Sequence, residues 1–188
     1  MIDSEVRLAG EVLARGGIIL YPTDTIWGIG CDATDSKAVQ RIYDIKQRDD
    51  SKSMLVLVDG VSMLNDYISA MPDQALDLIS KANKPTTIIY PGAQNLADNL
   101  LASDGSVGIR ITSDPFCQAL LKFTGKPIVS TSANLSGEPS PSLYLEITQE
   151  IIQKVEHVVN WRQDESEAAL PSAIIKVESD GRINILRP

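Results

Sequence analysis

Short runs of β-branched and apolar residues recur along this chain, and between them the apolar positions fall three and four residues apart. A run too short for a helix and too apolar for a surface loop reads as a buried strand, and the three-four spacing reads as a helix with one apolar face. Residues 17–21 (GIILY), 54–58 (MLVLV), 86–90 (TTIIY), 107–111 (VGIRI) and 128–130 (IVS) are predicted strands, with a further extended piece at 28–30 (GIG), where two glycines let backbone approach something closely. Predicted helices alternate with them. One covers about 4–15, with Val6, Ala9, Val12 and Leu13 on its apolar face and Gly16-Gly17 as its stop. A second is capped by Ser36, carries Ala38, Val39, Ile42 and Tyr43 on one side, and ends near Lys46. Others span about 61–68 and 73–82. The helix after Asp114-Pro115 has an N-cap and a first-position proline and is closed by Gly125. Asp180-Gly181 between 173–177 and 183–186 is a hairpin signal. This alternation predicts an α/β fold with a mixed parallel and antiparallel sheet and helices on its faces. The Pro/Ser/Gly stretch at 136–142 is too short to separate domains, so one domain over 1–188 is expected.

Composition narrows the function classes. The chain carries 17 Lys and Arg against 25 Asp and Glu, a net charge of −8, and its densest basic stretch, 37–52, is interrupted by Asp44, Asp49 and Asp50. Affinity for a nucleic-acid backbone comes largely from a basic stripe that displaces counterions, so strong direct binding to nucleic acid is not expected, and a small anionic ligand suits the pattern better. The N-terminus has no uninterrupted apolar core and no later run reaches ~18 apolar residues, which argues against a secretory signal and a membrane span and leads to a cytoplasmic expectation. Cys31 and Cys117 lie far apart with no C-x-x-C spacing, so they read as buried thiols, and no metal site is predicted. Neither G-x-G-x-x-G nor G-x-x-x-x-G-K-[ST] is present, which removes the two commonest phosphate-binding loops.

Four segments carry candidate chemistry. YPTDTIWGIG at 21–30 brings hydroxyls and a carboxylate off the end of a strand, as a pocket floor for a polar zwitterion or as an ordinary strand-to-turn junction. Lys46, Arg48 and Lys52 close a helix, where cations also serve simply to complement the dipole. Arg110 ends an apolar strand, either as a surface charge or as a bidentate clamp for carboxylate or phosphate. STSANLSG at 130–137 follows a strand with hydroxyls and an amide, donors for phosphate oxygens or merely turn residues. His157 is the one histidine, and no G-x-S-x-G elbow accompanies it, so it reads as structural.

Taken in order, YPTDTIWGIGCDATDSKAVQRIYDIKQR, VGIRI, PIVSTSANLSGEPSPS and the terminal ILRP resemble the successive signatures of the YrdC-like family, including its paired K-x-R and S-x-N motifs. The resemblance implies one α/β domain with a twisted mixed sheet around a central, positively lined cavity. It also implies an activity, the formation of threonylcarbamoyl-AMP and pyrophosphate from L-threonine, bicarbonate and ATP with Mg²⁺. The product would pass to a separate transferase that modifies tRNA. Position by position, Thr25, Arg110, Ser130 and Ser172 resemble the threonine-binding residues. Arg48, Lys52, Ser106, Ser132, Ser140 and Arg187 resemble the ATP-binding ones, and Lys46, Arg48, Ser132 and Asn134 make up the catalytic pairs. Departures from the family pattern fall at Ser53, where proline is common, at Leu57, where a histidine sometimes stands, and at 82–85 (ANKP).

Such a reaction brings two anions together, and at ~4 Å their repulsion is of order 4 kcal/mol at an effective dielectric of 20. Fixed positive charge is therefore required, and Lys46, Arg48, Lys52, Arg110 and Arg187 are the cations expected to supply it, facing phosphate instead of packing in the core. Two rival functions share the fold. A structured-RNA module would want a basic face with aromatic residues, and a carbamoyl-transfer domain would come with zinc-finger-like and acylphosphatase-like segments; the sequence shows neither.

Overall fold

The computed structural model describes residues 2–47 and 54–188. In these residues the chain forms helices α1 (Ile2–Leu13), α2 (Ser36–Lys46), α3 (Val61–Asn65), α4 (Asp73–Lys81), α5 (Pro115–Thr124) and α6 (Gln149–Ile152). The strands are β1 (Ile19–Tyr21), β2 (Gly28–Gly30), β3 (Leu55–Val58), β4 (Thr86–Tyr90), β5 (Val107–Ile111), β6 (Ile128–Ser132), β7 (His157–Val158), β8 (Ala173–Val177) and β9 (Ile183–Arg187). They join one mixed sheet in the order β7-β1-β2-β6-β3-β5-β4-β8-β9. β7 with β1, β3 with β5 and β4 with β8 are parallel, and the remaining neighbours are antiparallel.

Local chemistry explains most element ends. Asp114 caps α5 by accepting the Cys117 N–H at 2.9 Å, Pro115 occupies the first turn, and Gly125 closes it at φ 64°. The cap of α2 is Asp35 and not Ser36: its carboxylate accepts from Lys37 N and Ala38 N at 2.9 and 3.2 Å. An ionised carboxylate at this position also meets the positive end of the helix dipole, which a hydroxyl one residue later does not. The first helix lies two residues earlier than expected at each end, and Gly16 at φ 72° stops it.

Strand alternation divides the core in two. In β3, Val56 and Val58 face a large cluster built with Ala38, Val39 and Ile42 of α2, while Leu57 faces the other side. There Leu57, Ile19, Tyr21 and Ile128 pack under α1 (Val6, Ala9, Leu13) and α5 (Phe116, Cys117, Leu120, Leu121). Full burial of each large side chain in that layer is worth about 1.5–3 kcal/mol, so the layer is a main source of stability. Cys31 and Cys117 are both buried free thiols, and burial raises both pKa values. His157 meets Glu5 at 3.0 Å and ties β7 to α1, a structural contact.

Gly30 is needed by the fold itself. A Cβ on Gly30 would lie 2.4 Å from the Val129 carbonyl and 2.7 Å from the Tyr21 ring, so what Gly30 approaches is the neighbouring protein, whereas a Cβ on Gly28 would come no nearer than 3.1 Å, to the Ser130 hydroxyl. Among the described residues no helix is long and apolar enough to cross a membrane.

Candidate active site

The α1/α5 layer does not reach the far end of the sheet face it covers. Beyond it the same face continues through Leu55, two residues from Leu57, and through Ser130, two residues from Ile128; register pairs Leu55 with Ser130 and Leu57 with Arg110. This uncovered end is the floor of a cavity of about 280 Å³. Thr25, Arg110, Ser130, Ser132, Ser140, Ser172 and Arg187 all line it, with Trp27, Leu55, Ile89 and Ile174 as apolar walls.

Arg110 is 2% exposed. Its Nη2 donates to Asp24 Oδ1 at 2.9 Å, and its buried Nε has no hydrogen-bond partner among the described residues. Arg187, from the last strand, donates through Nε to the Ser172 carbonyl at 2.7 Å. Burial lowers the Arg187 pKa first, and the nearby Arg110 charge lowers it further. Two guanidinium groups are thus held close enough to repel on the wall of one cavity, an arrangement that an anion between them relieves.

The hydroxyls are directional. Thr23 Oγ1 donates to the Ile26 carbonyl at 2.8 Å and accepts the Thr25 N–H at 3.0 Å. Its single proton is therefore used, so Thr25 must donate across their 2.9 Å contact and present acceptor lone pairs to the cavity. That suits an amine or hydroxyl donor on a ligand. The Ser172 and Thr87 hydroxyls are hydrogen-bonded to each other at 2.8 Å. Ser140 stands exposed at the rim.

Three expected site residues lie off the cavity wall. Lys46 is 1% exposed and packs in the core, contrary to expectation: its ammonium donates to the carbonyls of Ser132 and, at 2.6 Å, Asn134, and reaches Asn134 Oδ1 at 3.3 Å. The Asn134 amide in turn donates to the carbonyls of Leu135 and Glu138 at 3.0 and 2.6 Å, and the Lys46 carbonyl accepts the Ser136 N–H at 2.8 Å. Lys46 is therefore fastened to the S-x-N stretch and positions the turn that carries Ser132. Carbonyls leaving a strand end need donors, and a buried ammonium with three protons supplies them. Ser106 is the third; its hydroxyl donates to Asp104 at 2.6 Å. Arg48, Lys52 and Ser53 lie outside the described residues. Leu57, the departure at the histidine position, belongs to the covered core and not to the cavity.

Sequence reasoning placed the Asp24 carboxylate at a strand end by a pocket but not its contact with Arg110, and missed Thr87 and Gly108 on the floor. The alternation in TTIIY, which puts Thr87 and Ile89 on one face, was the available signal for Thr87. A neighbouring cavity of about 540 Å³ adjoins at Thr25 and Trp27, bounded by Arg162, Asp164, Glu165 and Glu167. Arg162, at φ 61°, donates to the Thr23 carbonyl at 3.2 Å and to Asp114 at 2.6 Å, and so holds the Thr-containing turn against the start of α5. No group of three or more His, Cys, Asp or Glu that could hold a metal occurs among the described residues.

Known proteins share this sequence and shape. The Sua5/YciO/YrdC family model, described as "Telomere recombination", matches residues 11–188. A protein of Stutzerimonas stutzeri named threonylcarbamoyl-AMP synthase is 33% identical over 159 residues, 84% of this chain and 85% of its own length. The solved structure of E. coli YciO superposes with a TM-score of 0.84 at 27% identity, covering 100% of this chain and 89% of that one. P. abyssi Sua5, solved in complex with L-threonine, shares the fold with a TM-score of 0.86 at 23% identity; it covers 97% of this chain, which spans about half (53%) of that protein's length.

Proposed function

This chain belongs to the Sua5/YciO/YrdC family, and from that membership we propose that it synthesises threonylcarbamoyl-AMP, the activated intermediate for threonylcarbamoyl modification of tRNA. The observation that supports the reading most is the convergence of Arg110 and Arg187 on a cavity of hydroxyls, a site for two anionic reactants. The relative's name supplies the identity of the reaction, and the P. abyssi protein's complex with L-threonine supports an amino acid as one substrate.

In this reading Arg110 clamps the threonine carboxylate, oriented by Asp24, and Thr25 accepts from the amine. The amine nitrogen attacks the bicarbonate carbon, a C–N bond forms, a C–O bond breaks, and water leaves with one amine proton to give the carbamate. Ser132, Ser140 and Arg187 hold the triphosphate of ATP. A carbamate oxygen attacks the α-phosphorus, a new P–O bond forms, the bond to the β-phosphate oxygen breaks, and pyrophosphate leaves. No side chain forms a covalent intermediate; the acceleration comes from proximity and from fixed charge already in place. The hydroxyl donors of the wall suit a Mg²⁺ held chiefly by phosphate oxygens and water, and that ion would supply charge neutralisation on the triphosphate. A separate transferase takes the product to tRNA, in keeping with the −8 net charge of this chain.

Pyrophosphate release, followed with mass detection of the adenylate, tests this. Release should require ATP, Mg²⁺, bicarbonate and L-threonine together. Release without threonine, or without an adenylate product, would mean a different chemistry.

A further inference from the structure

Gly108 is a glycine that the fold does not ask for. It lies inside a central strand, where glycine is unfavourable because it adds backbone entropy to lose and packs nothing. Its φ is not among the positive ones, so no L-residue is barred by conformation. Space resists it only slightly: a Cβ there would sit 3.3 Å from Thr87 Cγ2, which would have to give by a few tenths of an ångström, and 3.7 Å from Ile89 Cγ1 and 3.8 Å from Leu55 Cβ, which are ordinary contacts. The contrast with Gly30, whose Cβ would strike a backbone carbonyl at 2.4 Å, is plain. What the missing Cβ does leave is a depression, or niche, in the cavity floor, where a ligand methyl can come down onto the Gly108 backbone between the side chains of Thr87, Ile89 and Leu55.

We propose that Gly108 is a specificity-determining residue, and that its niche receives the side-chain methyl of the bound amino acid. This rests on the threonine-dependent reading above and adds to it which part of the substrate is sensed, and where. Gly108 and Arg110 lie on the same face of one strand, ~7 Å apart along it. An amino acid whose carboxylate is on Arg110 lays its side chain along that face, over Gly108. Threonine fills the niche; serine leaves it empty; a longer β-hydroxy side chain collides with Ile89.

The test compares kcat/KM for L-threonine, L-serine and L-3-hydroxynorvaline in the wild type, Gly108→Ala and Ile89→Val. One methyl in a fitted pocket typically gives a preference of roughly 10–200-fold, and the wild type should prefer threonine over serine within that range. Gly108→Ala fills the niche from below, so this preference should fall at least about tenfold while the KM for ATP stays within about twofold. Ile89→Val widens one wall and should raise the use of hydroxynorvaline relative to threonine, an outcome that does not depend on Gly108→Ala folding. Equal loss toward threonine and serine in Gly108→Ala, or an unchanged hydroxynorvaline ratio in Ile89→Val, would overturn the niche. A wild type that makes adenylate equally well from serine and threonine overturns it too and leaves the enzymatic reading standing, whereas a wild type that makes none overturns both.

Discussion

One face of one sheet does two jobs. At its covered end Ile19, Tyr21, Leu57 and Ile128 pack against α1 and α5, and among the described residues this layer leaves no buried side-chain N or O without a partner; at its open end, two residues further along β3 and β6, Leu55 and Ser130 border a cavity where the buried Arg110 Nε has no partner among those residues. The covered end is what a sheet does to be stable. The open end is costly to the fold, because buried guanidinium and hydroxyl groups lose water without full replacement, and such a cost is sustained where a ligand completes the set. The same strands carry both, so the boundary is drawn by single residues: Ile128 against Ser130, Leu57 against Leu55.

This comparison can be broken from the covered side first. Phe116→Ala removes a fully buried ring from the α1/α5 layer and should cost about 3–5 kcal/mol of stability. Urea unfolding measures that loss, while turnover per folded molecule should stay near the wild-type value because Phe116 does not line the cavity. A matching collapse of turnover under conditions where the variant is folded would show that the two ends are not separable.

Lys46 lies between the two regimes, packed like the core but fastened to the turn that carries Ser132. Lys46→Ala strands the buried oxygens of Ser132 and Asn134, so stability should fall by about 2–4 kcal/mol and activity should fall with it. Loss of activity with an unchanged urea midpoint would return Lys46 to the role of a phosphate-facing cation.

The smallest effect is at Asp114, which caps α5 and pairs with Arg162. Burial raises its pKa above the ordinary 3.8, outweighing the cap hydrogen bond and the arginine. A raised carboxylate contributes stability that is present below the unfolded pKa and is lost as pH rises through the folded one. Asp114→Asn keeps the capping oxygen and removes the charge, so its stability relative to wild type should improve from pH 4 to pH 7, by about 1 kcal/mol or less. Urea midpoints at the two pH values check the sign; a relative loss on raising the pH would mean that the ion pair dominates.

The covered end was largely legible in the sequence and the open end only in part, for a physical reason. Asp114-Pro115 with Gly125 is local chemistry, and α5 of the covered end formed where expected; at the open end only the β8–β9 hairpin, marked by Asp180-Gly181 between two apolar runs, was as plain. Strand order is not local: it brings Arg110 beside Leu57 and sets Asp24 on Arg110 across 86 residues, and no spacing rule reports that. Lys46 is the clearest case. A lysine in a last helical turn is an ordinary surface residue by local rules, and only the return of β6 beside α2 buries it. The two-residue β7 and four-residue α6 escaped because each is held by its neighbours more than by its own pattern.

The central claim is that the open end of this face is where threonine and ATP meet. The most direct measurement is a crystal structure of the protein with ATP, Mg²⁺ and L-threonine. The threonine carboxylate is predicted within hydrogen-bonding distance of Arg110, its methyl over Gly108, and the nucleotide phosphates beside Ser132 and Arg187. Threonine bound elsewhere, such as in the cavity bounded by Arg162 and Glu165, or a cavity floor left empty at saturating threonine, would contradict it.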